Sequence, residues 1–431
     1  MAPSRVLYIA TTTKGGSAFS LYHLARGLDR QRYEPVVLFL AQSDDYILQR
    51  LAEAGIRTHV AGRSSAGASA PAAPPAAPRD IQAWLRQRVG GWAGEAYGFA
   101  KAALEFWRTD LPRVRLIQRL IREHQAALVH LNNGLRNGRA GVLAAWLTGT
   151  PCVCHVRTFD DLSRFDRLFA GGVRTFIYNS QAVAQHAQAQ GLPAARGVVV
   201  HNALDLLDFS EPAEAARRAV RAEFGWAGTD RLVGIVGRLD WWKGHEHFLR
   251  ALASASQRLP DLKGLIIGAP EESPRNQAHY QALLQLHQEL GLAGRVVFTG
   301  FRSDVPRLVA ALEALVLSST EPEPFGRVLI EGMAAGRVVI ATAAGGVLDV
   351  IEDEVTGLLV PPADPAAIAA AIERVVQEPE LARRLGAAAR QRVEERFTIQ
   401  RHVAAVQRIY QALPEPARRG GAGQRRMRVE P

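Results

Sequence analysis

Two acids and two cations in the second half of the chain have residue types and spacings suited to chemistry. Glu323 and Glu331 stand eight positions apart in EPEPFGRVLIEGMAAG, residues 321–336. Upstream, VGRLDWWKGHEHF carries Arg238 and Lys243 between Gly237 and Gly244. Paired carboxylates suggest acid–base work on one bond, but such pairs in retaining glycosidases sit only ~5 Å apart. A helix is expected to start near Phe325 after Pro324, and eight helical residues rise ~12 Å. Glu323 then sits at the helix mouth and Glu331 about two turns in, which suits grips on two parts of one elongated ligand. The plainer alternative is favourable charge at a helix start for Glu323 and an ordinary exposed acid for Glu331.

Arg238 and Lys243 stand where a strand-like run gives way to a helix. A planar guanidinium fork and an ammonium point charge at such a place suit a diphosphate. The alternative is a solvated loop with two surface cations, packed by Trp241 and Trp242. Lysine occurs only at Lys14, Lys101, Lys243 and Lys263, so a motif lysine says more than a motif arginine in this arginine-rich chain. In ATTTKGGSAFSL, Gly15 and Gly16 follow the first strand-like run and let backbone amides approach an anion, or simply make a tight turn. No Lys-Ser/Thr closes this loop and the dinucleotide glycine spacing is absent, so it is neither a Walker loop nor a dinucleotide fingerprint. His155 ends the strand-like run of PCVCHVRTF, where it is either structural or turned toward a ligand.

The elements that must position these residues alternate in type along the whole chain. RVLYIATTT, EPVVLFLA, ALVHLNN, PCVCHVR, TFIYNS and GVVVHNA are short apolar runs, and so are LVGIVG, GLIIGA, RVVFTG, ALVLSS, VVIATAA and TGLLVPP. Amphipathic segments such as 18–29 and 44–54 separate most of them. Continuous apolar strands alternating with helices imply parallel sheets covered on both faces. The expected fold class is α/β with two doubly wound domains, residues 1–208 and 209–398. A helix over 399–412 is expected to pack back on the first domain. Residues 61–80 read as a low-complexity Ala/Pro/Ser loop and 413–431 as a disordered basic tail.

At 431 residues the chain exceeds one ordinary core, which agrees with two domains. The net charge of +10 permits nucleic acid, an anionic membrane face or a phosphorylated small molecule as partner, and selects none. Dispersed arginines without an aromatic-interleaved patch argue against nucleic acid. Cys152 and Cys154 are too few for a zinc site and suit a reducing compartment. The N-terminal run is too short for a signal peptide, and Gly, Thr and Pro break the longest charge-free stretch, so a cytoplasmic protein is expected. PRVRLIQRLIREH, residues 112–124, places Arg115, Arg119 and Arg122 on one helix face. That face is either solvated or a weak contact to the anionic inner face of the plasma membrane.

As a set, these residues resemble the retaining, family-four glycosyltransferases of the GT-B architecture. The resemblance covers most of the chain, most strongly 231–362. It rests on GG at 15–16, YNS at 178–180, VVVHNALD at 198–205, GRLDWWKG at 237–244, EPFGRVLIE at 323–331 and GGVLDVIEDEVTGLLVPPAD at 345–364. It implies two Rossmann-like domains facing a cleft, the second binding a nucleotide-sugar donor without a metal or other cofactor. Arg238 and Lys243 would hold the diphosphate and Glu331 the ribose hydroxyls. Glu323 and the backbone around Phe325, Gly326, Arg327 and Val328 would address the donor sugar. Gly15 and Gly16 would approach the phosphates and acceptor, and His155 the sugar. The implied reaction is hexosyl transfer to a glycan or lipid-linked acceptor in cell-envelope or capsule polysaccharide synthesis. The alternatives are a sugar-nucleotide epimerase of the same architecture and a basic nucleic-acid-binding protein. Ala203 and Arg337 depart from the family, which usually has Gly after Asn202 and commonly Pro after the AAG of 334–336.

Overall fold

A computed structural model describes residues 2–42, 45–62 and 91–413. Most of the Ala/Pro/Ser segment 61–80, and the tail from 414 onward, lie outside the described residues. One compact unit takes the chain up to Ile177, Ala187–Val198 and the chain from Val406 onward. The other takes Tyr178–His186 and Val199–Ala405.

The first unit is built on strands β1 Ser4–Thr12, β2 Tyr33–Ala41, β3 Arg57–Val60, β4 Leu128–Leu131, β5 Cys152–Val156, β6 Thr175–Tyr178 and β7 Gly197–Val199. Their spatial order is β3-β2-β1-β4-β5-β6-β7. Consecutive residues Val6, Leu7, Tyr8 and Ile9 are all buried, because helices cover both faces and neither side of the strand meets water. Each such aliphatic side chain contributes ~1.5–3 kcal/mol by leaving water. β3 is absent from the apolar runs of the sequence. It is a four-residue strand, RTHV, with half-exposed side chains, and it exists by pairing with β2 in parallel register.

The second unit holds β8 Arg231–Val236, β9 Leu262–Ile267, β10 Val296–Gly300, β11 Ala314–Leu317, β12 Val338–Thr342 and β13 Leu358–Val360. They lie in the order β10-β9-β8-β11-β12-β13, and every adjacent pair is parallel. Both sheets are therefore the doubly wound, Rossmann-like sheets that the strand–helix rhythm implies. In each, the strand order reverses beside the first strand: β4 sits next to β1, and β11 next to β8. In sheets of this kind, ligands bind outside the C-terminal ends of the strands at this reversal.

The last helix spans Ile399–Gln411, and its end is tied into the first unit by buried polar contacts. The Tyr410 hydroxyl lies 2.9 Å from that of Tyr8 and 2.5 Å from Nδ1 of His130. All three rings are buried, so these bonds satisfy polar atoms that water cannot reach. The basic helix is Leu111–Glu123. It buries Val114, Ile117, Leu120 and Ile121 and exposes Arg115, Arg119 and Arg122. Among the described residues no helix is long and apolar enough to cross a membrane.

Candidate functional site

In the second unit the loops after β8 and β11 meet. After β8 the chain makes a short turn of 3-10 helix, Trp241–Lys243, then turns through Gly244 into helix His245–Ala255. Gly244 has φ 70°. A Cβ there would stand 1.8 Å from the Ser318 carbonyl oxygen, so only glycine lets the two loops approach. Thr320 N donates to the Trp242 carbonyl at 2.8 Å, and Ser318 Oγ to that of Gly244 at 2.8 Å.

This fastening places Lys243 Nζ 2.6 Å from Glu323 Oε1. The residues are 80 positions apart in sequence. Ser319 Oγ donates to the same carboxylate oxygen at 2.6 Å, and Glu323 and Ser319 are both buried. The ammonium lies 4.1 Å from the Trp242 ring centroid, within cation–π range. Arg238 is not part of this pair. It is half exposed and forms ion pairs with Asp240 at 2.9 Å and with Glu271.

The helix expected near Phe325 begins two residues later, at Arg327, and runs to Ala334. Phe325 is drawn into the core, with its ring 5.9 Å from those of both His201 and Phe397. Gly326 then turns through φ 80° and caps the helix without a side-chain bond. Glu331 is therefore the fifth helical residue, little more than one turn in, not two. The estimate of ~12 Å of helical rise between the acids fails because the first four residues are not helical. Arg327 Nη2 reaches Glu331 Oε1 at 3.4 Å. Burial raises the Glu331 pKa above the ordinary carboxylate range, and the Arg327 charge opposes that shift. Val328 is partly buried and packs on the core beneath the helix.

His245 was not singled out from the sequence. It is fully buried, and neither ring nitrogen has a hydrogen-bond partner among the described residues. Burial, with smaller contributions from His279 and Lys243, pulls its pKa down to about 3, so it is neutral near pH 7. Ser319, Asp240 and Glu271 were also missed. The polar end of ALVLSS was a local signal for Ser319, whereas Glu271 pairs with Arg238 only through the fold.

In the first unit, Gly15 caps helix Gly16–Gly27 with φ 91° and ψ 175° and makes no side-chain cap bond. No atom stands within 4 Å of a Cβ placed there, so the backbone angle and not space selects glycine. Asn133 ties this loop to the end of β4, its Oδ1 accepting from Thr11 N at 3.1 Å and its Nδ2 donating to Ser17 Oγ at 3.1 Å. His155 is fully buried in β5, with Nδ1 3.1 Å from Arg157 Nη2. Arg157 Nη2 also donates to Asn132 Oδ1 at 3.1 Å. Sequence reading missed Asn132 and Arg157, although polar residues at the ends of HLNN and CHVR marked both strand exits. Cys152 and Cys154 are free and buried, and burial pushes both thiols up.

Chemically, the second-unit arrangement can hold an anion. It offers an ammonium beside a buried carboxylate, a half-exposed guanidinium, and a glycine-led helix start whose first amides lack a side-chain acceptor. Among the described residues no group of three or more His, Cys, Asp or Glu is placed to hold a metal ion.

Two family models match the chain. Residues 216–392 match "Glycosyl transferases group 1", and residues 15–203 match "Glycosyl transferase 4-like domain". The 2-deoxystreptamine glucosyltransferase of Streptomyces kanamyceticus is 30% identical over 321 residues, covering 68% of this chain and 77% of that protein. The D-inositol 3-phosphate glycosyltransferase of Mycobacteroides abscessus is 37% identical over 190 residues, 44% of this chain and 41% of that protein. Among solved structures, Anabaena HepE in complex with UDP and glucose has a TM-score of 0.75 at 23% identity, covering 95% of this chain and 99% of that one. Sucrose-phosphate synthase of Thermosynechococcus elongatus has a TM-score of 0.70 at 21% identity, covering 95% and 98%. These structural likenesses speak for the GT-B fold. The chain belongs to the group 1 glycosyl transferases.

Proposed function

We propose that the protein is a retaining glycosyltransferase that moves a sugar from a nucleotide-sugar donor to a glycan or lipid-linked acceptor without a metal. The observation that carries this reading is the Lys243–Glu323 pair, formed where β8 and β11 lie side by side at the strand-order reversal. A relative named as a glucosyltransferase and a fold neighbour solved with UDP and glucose support the donor class. Lys243 and Arg238 hold the diphosphate and stabilise charge on the leaving group. Glu331 bonds the ribose hydroxyls, while Glu323 and the backbone of Phe325, Gly326, Arg327 and Val328 address the donor sugar. For the first unit the family resemblance implies phosphate and acceptor contacts by Gly15 and Gly16 and a sugar contact by His155, which is buried within that unit.

In this mechanism the bond between the anomeric carbon and the phosphate oxygen breaks, and the acceptor oxygen attacks the same face. The same-face attack retains the configuration, and the departing phosphate takes the acceptor proton. Incubation with a panel of nucleotide sugars and acceptors, followed by NMR of the product anomer, tests the reading. The expected product has the donor's anomeric configuration and forms equally fast in EDTA. An inverted product removes retention, dependence on added Mg²⁺ removes metal independence, and conversion of donor without acceptor favours the epimerase.

The relatives' names favour a second reading of the acceptor as a free cyclitol, since they specify 2-deoxystreptamine and an inositol phosphate. Transfer to inositol phosphate but not to lipid-linked glycan would select it. A cytoplasmic site of action, with weak anionic membrane contact through Arg115, Arg119 and Arg122, completes the proposal. Failure to float with anionic vesicles removes the membrane contact.

A further inference from the structure

A cavity rich in arginine lies at the end of the second sheet opposite Lys243 and Glu323. Its volume is about 340 Å³, within the range of small-molecule pockets. Arg231 opens β8, and Glu313 and Arg337 immediately precede β11 and β12. Arg238 and Lys243 follow the opposite end of β8, so the length of the strand, ~20 Å, separates the two places. Helix Ala213–Glu223 contributes Arg217, and the first turns of helix Pro379–Arg396 contribute Pro379, Ala382 and Arg383.

Four guanidiniums, from Arg217, Arg231, Arg337 and Arg383, line this cavity against the single carboxylate of Glu313. Three of them have counter-charges. Arg217 pairs with Glu214 at 2.6 Å and Glu313 at 2.7 Å, Arg231 with Asp261 at 3.3 Å, and Arg383 with Glu380. Arg337 differs. It makes no ion pair among the described residues, and its Nε and Nη1 donate only to the carbonyls of Ala335 at 3.1 Å and Leu312 at 3.4 Å. Burial first, and then the charge of Arg217, hold its pKa below the usual guanidinium value, against the opposing charges of Glu313 and Glu214. Nε of Arg217 is buried without a hydrogen-bond partner among the described residues. The first turn of helix Pro379–Arg396 carries Glu380, the partner of Arg383. Val338, Val375 and Val376 supply an apolar wall.

We propose that this cavity binds a phosphorylated small organic molecule, with Arg337 and Arg217 holding the phosphate and the valine wall the organic part. Guanidinium forks match phosphate oxygens in pairs, and the anion supplies the direct ion-pair partner that Arg337 lacks among the described residues. The site is independent of the donor reading, and either can fail alone.

Isothermal titration of the full chain with glucose 6-phosphate and with inorganic phosphate tests the proposal. The expected result is saturable binding of glucose 6-phosphate, tighter than that of inorganic phosphate and unchanged in Lys243→Ala. Arg337→Gln is expected to weaken it ~10-fold or more, the loss of a charge-assisted bond. Arg383→Glu alters an exposed side chain, so it is expected to keep the fold and to weaken binding ~5-fold by reversing a charge at the rim. This variant decides the matter if Arg337→Gln does not fold. Binding lost in Lys243→Ala, unchanged affinity in both arginine variants, no saturable binding, or binding of inorganic phosphate alone would each overturn the proposal.

Discussion

Lys243→Ala leaves the Glu323 carboxylate buried, with the Ser319 hydroxyl at 2.6 Å as its remaining side-chain donor among the described residues. Stranding one partner of a fully buried ion pair costs ~3–5 kcal/mol. Here the glutamate side chain is 5% exposed and the lysine 18%, so water can enter from the lysine side. The expected loss is therefore smaller, ~1–3 kcal/mol. Adding Glu323→Gln removes the stranded charge, so the double variant should lose less than the two single variants together, with a coupling of ~1–2 kcal/mol. Urea unfolding of the four proteins measures this directly. Turnover gives a second readout. If the ammonium stabilises leaving-group charge, Lys243→Ala lowers kcat/KM ~10²–10³-fold, as expected for one lost charge-stabilising donor. Additivity within ~0.5 kcal/mol would refute the coupling. Wild-type turnover in a folded Lys243→Ala protein would refute the site.

Three further outcomes are expected. Glu331→Ala should raise the donor KM ~10-fold, the cost of a lost hydrogen bond to a charged group, with little change in thermal stability; an unchanged KM counts against its ribose role. His245 is neutral when folded, with a pKa of about 3, whereas the unfolded chain protonates it below ~6.5. Its contribution is thus complete above ~6.5 and declines as pH falls toward 3, by at most ~1.4 kcal/mol per pH unit. His245→Gln should flatten the stability profile between pH 6.5 and 5, and an unaltered slope in urea unfolding would exclude this source. Gly244→Ala should destabilise by well over ~1 kcal/mol, since strain at positive φ adds to a contact of 1.8 Å with backbone. Gly55→Ala, at φ 63° with no atom within 4 Å, should show the strain alone; equal losses would mean the close approach has no energetic weight.

The amino-acid sequence by itself determined the fold class. Runs such as VLYIA and LVGIV can bury both faces of a strand only in a helix-covered parallel sheet, and that logic is local. It also marked the chemistry-bearing loops, because Gly15, Gly244 and Gly326 stand at strand exits beside polar or charged residues. It could not read β3, whose RTHV has no apolar signature and is held by its neighbour. It placed the helix start near Phe325, two residues early, because burial of that ring against His201 and Phe397 is a long-range event. Only the tertiary structure decided which loops meet. The order β9-β8-β11 makes neighbours of β8 and β11, and so brings together Lys243 and Glu323, 80 positions apart, while Arg238 goes to Asp240 and Glu271. Strand order follows from how whole helices and sheets pack, a sum over many weak contacts that no short stretch of sequence contains.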